Sequence, residues 1–313
     1  MSISNGDGLS FSDVQSGNSR VKCVRKWLFA LTAVVLLAFM KWGAGRVVTL
    51  VLDTLNPPPS QLTEGYRTPP GERRDITLED HTRIAMNSNT EVQVTEEGSH
   101  RQVNLLHGEA SLSVIHDARR PFTVCAGGFL FRDVGTTFNV VAAANSVALT
   151  VADGEVSLVG ACGVDGRQIP LGQPASALFV RSGGRFIGSR LQANDQMTIV
   201  TSADGVSART RTLTRAEMSF VTSWRDGVLR FEGAGLRDAI EGVNRNCNVL
   251  IELGDPAMAA GANLHGTLRL DGPGPVDTFL KVLKRIYHLV PAPTDPLRPD
   301  VITLVKERGY DSK

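Results

Sequence analysis

From residue 108 to 139 the chain alternates apolar and polar side chains, and a period of two commits a segment to strands with one buried face. Leu112 and Val114, then Phe122 and Val124, mark the inward positions, with turn chemistry at Asp117, Pro121, Gly127 and Gly128. The pattern extends to both sides. Strands are expected at residues 75–78, 82–86, 91–95, 102–106, 110–115, 122–126, 129–134, 137–142, 146–152 and 155–159, and nearly every gap carries Gly, Asp or Asn. So many short strands without an intervening helix predict a mainly β domain over residues 70–180, built as a sandwich, a barrel or a solenoid-like stack. Residues 160–222 give only weak strand signals, at 177–181 and 197–201, and 181–222 reads as an edge extension or a loose connector.

After Trp224 the periodicity changes. Residues 228–231 read as a strand, Leu236, Ala239, Ile240 and Val243 fall at helical spacing, and residues 249–253 and 265–270 read as strands. Val276, Phe279, Leu280, Leu283, Ile286 and Tyr287 form a second helical stripe before a β-branched strand at 301–305. The predicted order is β-α-β-β-α-β over residues 223–310, an α+β domain with two helices on one face of a small sheet.

At the other end, residues 1–23 are rich in Ser, Gly, Asn and Asp and read as a disordered tail. The stretch WLFALTAVVLLAFM, Trp27 to Met40, is free of charge and preceded by Arg20, Lys22, Arg25 and Lys26. It predicts a single transmembrane helix within residues 24–52, close to the minimum length for a hydrocarbon core about 30 Å thick, with a cleaved signal peptide as the alternative. The basic flank puts residues 1–23 in the cytoplasm and everything after about residue 45 across the inner membrane, in the periplasm. Residues 53–69, with Pro57, Pro58 and Pro59, read as a stiff linker.

A formal charge of +1 over 313 residues argues against a nucleic-acid partner, which needs clustered Lys and Arg. His107, His116 and His265 are scattered with no nucleophile-elbow context, and Gly272-Pro273-Gly274 lacks the strand-to-helix setting of a nucleotide loop. Four cysteines without a CxxC pair give no metal site. Cys125 and Cys162 are the pair that can bridge in an oxidising compartment, against the alternative, which the sequence favours, of buried unpaired thiols. No catalytic residue, cofactor, metal or small-molecule substrate is expected, and Arg209, Arg211 and Arg215 read as solvated surface.

Several segments together resemble the FecR family of cell-surface-signalling regulators. They are Leu106-His107-Gly108-Glu109-Ala110, Arg120-Pro121-Phe122-Thr123-Val124, Val134-Gly135-Thr136-Thr137-Phe138-Asn139-Val140 and Val151-Ala152-Asp153-Gly154-Glu155-Val156. Gly108, Pro121, Phe122, Gly135, Thr136, Phe138, Asn139 and Gly154 carry the signature, and each has a turn or core reading of its own. Trp224-Arg225-Asp226-Gly227 is similar to the family's entry into a C-terminal module like the short signalling domains of secretins and TonB-dependent receptors. The resemblance implies a non-enzymatic transducer regulating an extracytoplasmic-function sigma factor, with an outer-membrane receptor's signalling domain as partner, in iron or siderophore uptake. Trp224, Leu229, Phe231, Leu268 and Leu270 are the candidate partner contacts. The family's helical sigma-binding region before the membrane segment has no counterpart in residues 1–23, so it is expected to be missing here. The alternative is an anchored binding or scaffold module without a sigma partner.

Overall fold

The computed structural model describes residues 62–97, 100–133, 135–163, 168–169 and 187–307, all within one compact unit, 61–313. The chain opens with β1 (Leu62–Thr68), β2 (Arg74–Thr77), β3 (Arg83–Met86), β4 (Thr90–Glu97) and the long β5 (His100–Ser113). It continues through β6 (Phe122–Ala126), β7 (Phe129–Asp133), β8 (Thr137–Ala143), β9 (Ser146–Asp153), β10 (Glu155–Cys162) and β11 (Gln168–Ile169). β12 (Arg190–Gln192), β13 (Asp195–Ser202) and β14 (Gly205–Thr212) complete a fourteen-stranded sheet.

β5 organises this sheet. Its first half pairs with β4 and, in parallel, with β6, while its second half pairs with β3 and β8. The sheet curls about that strand, and the inward faces of both halves meet in one core. Ile84, Met86, Leu112, Phe138, Val140 and Leu149 from one half pack in it with Val103, Phe122, Phe131 and Leu158 from the other. Strict alternation keeps this register, because a one-residue slip would turn every one of these side chains to the opposite face.

Helix α1 (Arg215–Thr222) follows, started by a capping box in which the Thr214 hydroxyl accepts from the Glu217 amide and the Glu217 carboxylate accepts from the Thr214 amide. Beyond a 3-10 turn at Ser223–Asp226 come β15 (Val228–Gly235), α2 (Leu236–Cys247), β16 (Leu250–Leu253), β17 (Asn263–Arg269), α3 (Pro275–Tyr287), β18 (Leu289–Pro291) and β19 (Val301–Lys306). α2 buries Leu236, Ala239, Ile240 and Val243, the spacing that puts four apolar residues on one face, and ends where Asn248 turns left-handed. α3 starts with Pro275 in its first turn, where no N–H is needed, and buries Phe279 and Leu283.

Three expectations are corrected. The predicted span within residues 24–52 lies outside the described residues, as does the tail 1–23. Among the described residues no helix is long and apolar enough to cross a membrane. The longest, α3, has 13 residues against the roughly 20 a span requires, so the fold is a curled sheet and an α+β unit, and the transmembrane element and the inner-membrane location drawn from it are set aside. The end of the linker is strand β1, paired along its whole length with β4. Within residues 187–222, for which the sequence leaves an edge extension or a connector open, β13 and β14 extend the sheet by pairing onto β9 in succession; the weak signal at 177–181 lies outside the described residues. Finally, the C-terminal strands do not share one sheet: β15 pairs with β17, and β16 with β19 in parallel, with β18 on the far edge of β19. The helices fill the space between these two small sheets, where Phe231 stacks on Phe279 with centroids 6.2 Å apart.

Candidate functional site

Gly108 lies midway along β5, where the strand passes from one half of the sheet to the other. Its φ of +96° is left-handed, and a Cβ there would stand 2.4 Å from Thr90 Oγ1 and 2.6 Å from Thr90 Cα. Only glycine meets both demands. The next residue, Glu109, is 0% exposed, and its carboxylate must be compensated from within the protein.

Three elements supply that compensation. Asn87 Nδ2, in the turn between β3 and β4, donates to Glu109 Oε2 at 2.7 Å, and Asn139 Nδ2, on β8, donates to Oε1 at 2.8 Å. Arg245, in the last turn of α2, brings Nε within 2.8 Å of Oε2 as an ion pair, although that N–H is not aligned as a hydrogen bond. Asn246 joins the cluster by accepting from Asn87 Nδ2 at 2.9 Å, while its own Nδ2 donates to the Gly242 carbonyl. The large sheet and the α+β unit are thus joined through a buried polar network rather than by apolar packing alone. Arg73 with Asp271, and Arg225 Nη1 donating to Ser111 Oγ at 3.3 Å, fasten the same two parts elsewhere.

Beside this network the outer face of β8, β9 and β13, where Asn139 and Thr150 are themselves buried, borders open space. A cleft of about 940 Å³ lies between that face and the wall formed by α1, the end of β15 and α2. Its floor carries small or polar side chains, among them Asn139, Ala148, Thr150 and Thr198. Of the charged groups that line it, Arg211 pairs with Glu217 and Arg245 with Glu109. The Thr214 amide, Thr214 hydroxyl and Arg211 hold the Glu217 carboxyl below its ordinary value, outweighing the opposing effect of burial.

The predicted residues fall into separate places. Trp224, Leu229, Phe231 and Leu268 are buried in the core of the α+β unit, and Leu270 packs half-buried against it. Side chains that fill a core are withdrawn from a partner, so these five are packing residues rather than a contact surface. Phe122, Phe138, Asn139 and Thr136 are buried in the sheet, with the Arg101 guanidinium 5.5 Å over the Phe122 ring. Pro121 precedes β6, where no ladder N–H is lost. Gly135 and Gly154 meet at one corner, where a Cβ on Gly154 would strike Thr136. Cys125 and Cys162 form a disulfide with Cα atoms 6.0 Å apart, so the unpaired thiols that the sequence favours are not found. His107, His116 and His265 lie apart, and among the described residues no group of three or more His, Cys, Asp or Glu side chains could hold a metal ion. Asn87, Arg245 and Asn246 were not singled out by sequence as site residues; their only signal is polarity at the ends of apolar segments.

Residues 64–157 match the family described as FecR protein. This segment is a FecR segment, and the match does not extend to the unit after Trp224. The FecR segment holds Gly108, Glu109 and Asn139, whereas Arg245 and Asn246 come from beyond it, so the network ties the family's sheet to the unit that follows. Two crystal structures of a putative anti-sigma factor from Parabacteroides distasonis ATCC 8503 resemble this chain in fold. The one at 2.50 Å is 21% identical with a TM-score of 0.54, covering 79% of this chain and 100% of the other; the one at 1.65 Å has the same identity and TM-score with 78% and 99% covered. At that identity the likeness concerns fold alone. No curated protein matches the chain.

Proposed function

We propose that this chain, with its FecR segment, is a non-enzymatic regulator of an extracytoplasmic-function sigma factor, and that its α+β unit receives the signal from a TonB-dependent receptor's signalling domain in iron or siderophore uptake. The FecR match over residues 64–157 supports the regulatory role, and the fold shared with a putative anti-sigma factor is consistent with it. The observation that carries the transducing part is the Glu109 network. A receiving unit held to the FecR sheet by one buried carboxylate and donors from three elements has a discrete contact through which a change in one part reaches the other.

Co-expression of the full chain with the extracytoplasmic-function sigma factors of its own cell tests the first half. One of them should co-purify and change its transcriptional output; if none does, the regulator reading fails and a binding module without a sigma partner takes its place. The receptor half is tested by retention of a receptor signalling domain on the immobilised chain. Equal retention by a chain ending after Ser223, with its β circular dichroism intact, would remove the α+β unit from that role.

A further inference from the structure

β14 closes one end of the fourteen-stranded sheet, and the proposed function makes no use of it. It pairs with β13 over all eight of its residues without a register shift, and its sequence, GVSARTRT, contains no proline. Proteins commonly blunt such an edge with a proline, a bulge or a shortened strand, because its unpaired backbone groups are a template for another chain. β14 has none of these. Which groups are unpaired follows from the register. The Leu213 amide donates to the Asn194 carbonyl in the next pair of the ladder, so Arg211, Arg209 and Ser207 are the residues that bond to β13. Val206, Ala208, Thr210 and Thr212 alternate with them, and their N–H and C=O groups point away from β13, where no described strand receives them.

The two faces of this edge differ. On the inner face Val206 and Ala208 pack against the core of the sheet but stay half-buried, because the sheet ends beside them. On the outer face Arg211 is engaged, its Nε donating to Gln196 Oε1 and its Nη1 paired with Glu217. Arg209 on the same face is exposed and has no hydrogen bond or ion pair among the described residues. The adjoining outer positions are Gln196, Thr198 and Val200 on β13, then Thr150, Ala148 and Ser146 on β9, so neither strand offers it an acid.

We infer that β14 accepts an added strand from a partner protein, an extended segment that alternates apolar with acidic residues. Its backbone completes the ladder at Val206, Ala208 and Thr210, and its apolar side chains continue the core beside Val206 and Ala208. Its acidic side chains fall on the other face, against Arg209, as cross-strand pairs of opposite charge. A second copy of this chain fits less well. Antiparallel pairing of two β14 strands keeps their outer faces on one side and sets both Arg209 side chains there with no acid between them.

The test is fluorescence anisotropy of the full chain with a labelled peptide of alternating valine and glutamate, as long as β14, against the same peptide with lysine in place of glutamate. The acidic peptide should bind and the basic one should not, with affinity falling as salt is raised from about 50 to about 500 mM. Ala208→Pro removes an N–H that bonds nothing in β13; it should abolish binding while β circular dichroism and the thermal midpoint stay near those of the parent. Arg209→Glu alters an exposed side chain only, and it should weaken the acidic peptide about tenfold and admit the basic one. Equal binding of both peptides by the parent overturns the inference, and so does parental affinity in either folded variant. A parent dimer that Ala208→Pro dissolves, read by sedimentation, overturns it as well, since the edge then belongs to a second copy.

Discussion

Arg245 Nε lies 2.8 Å from Glu109 Oε2, and this contact joins the last turn of α2 to the middle of β5 across 136 residues of sequence. The two partners differ in environment, since the Glu109 side chain is fully enclosed and that of Arg245 is 29% exposed. Removing the arginine leaves a buried carboxylate with two amide donors and no cation. Arg245→Ala should therefore destabilise the chain by about 2–4 kcal/mol, the cost of an uncompensated buried charge reduced by the remaining donors. Adding Glu109→Gln to that variant should recover part of the loss, since the neutral amide no longer needs the cation. Urea denaturation of both single variants and the double variant gives the coupling directly; additive losses would mean that the pair contributes nothing beyond its separate side chains.

Gly108 makes the Glu109 position possible, and its replacement tests whether the bend in β5 is required. Gly108→Ala combines a left-handed φ with a Cβ 2.6 Å from the Thr90 backbone, which cannot swing away as a side-chain tip would. A loss of about 2–4 kcal/mol is expected, read as a fall in thermal midpoint. Thr90→Gly in the same chain relieves only the contact with Thr90 Oγ1, so it should restore little.

How much of this was legible in the sequence depends on which face of an element is wet. β8 and β9 could be placed within a residue or so because Phe138, Val140, Val147 and Leu149 alternate with polar neighbours over a shared core. β1 and β14 are edge strands; β14 buries no residue along its length, so the period of two carries no apolar signal there. α1 also buries nothing, yet Thr214 and Glu217 three residues apart were a readable start signal. In the α+β unit each local element had a period, but the division into two sheets is a matter of distant pairing that no local window contains. Trp224 and Phe231 were ambiguous for a related reason, since an aromatic residue at a strand or turn suits a core as well as an interface. Glu109 was visible as part of a motif, but its complete burial and its partners on β8 and α2 follow only from tertiary contact.

The Cys125–Cys162 disulfide ties β6 to β10 across β7 and closes a loop with a sequence separation of 37. In the chain-entropy account such a loop is worth about 3–4 kcal/mol. The double variant Cys125→Ala with Cys162→Ala should lower the urea midpoint accordingly, and dithiothreitol should lower that of the parent but leave the variant where it is. Because Cys247 is outside the bridge, a shift of the double variant on reduction would point to another thiol instead.

Asp80 provides a pH-dependent measurement on the sheet alone. Its carboxylate lies 2.6 Å from Arg101 Nη1, accepts from the Thr82 amide at 2.8 Å and from the Thr82 hydroxyl at 2.9 Å, and its side chain is 8% exposed. Burial by itself pushes the carboxyl up, but the Thr82 amide, the Thr82 hydroxyl and Arg101 together outweigh it and leave the group below its ordinary value of 3.8. The unfolded chain therefore takes up the proton at a higher pH than the folded one. The stabilisation is complete above the unfolded value and is lost as pH falls through the folded value. Asp80→Asn, which keeps the size and loses the charge, should be less stable than the parent at neutral pH, and the gap between their urea midpoints should close as the pH is taken below about 4. A gap that stays constant over that range would show that the asparagine fails through its hydrogen-bond geometry, with the carboxylate charge contributing nothing.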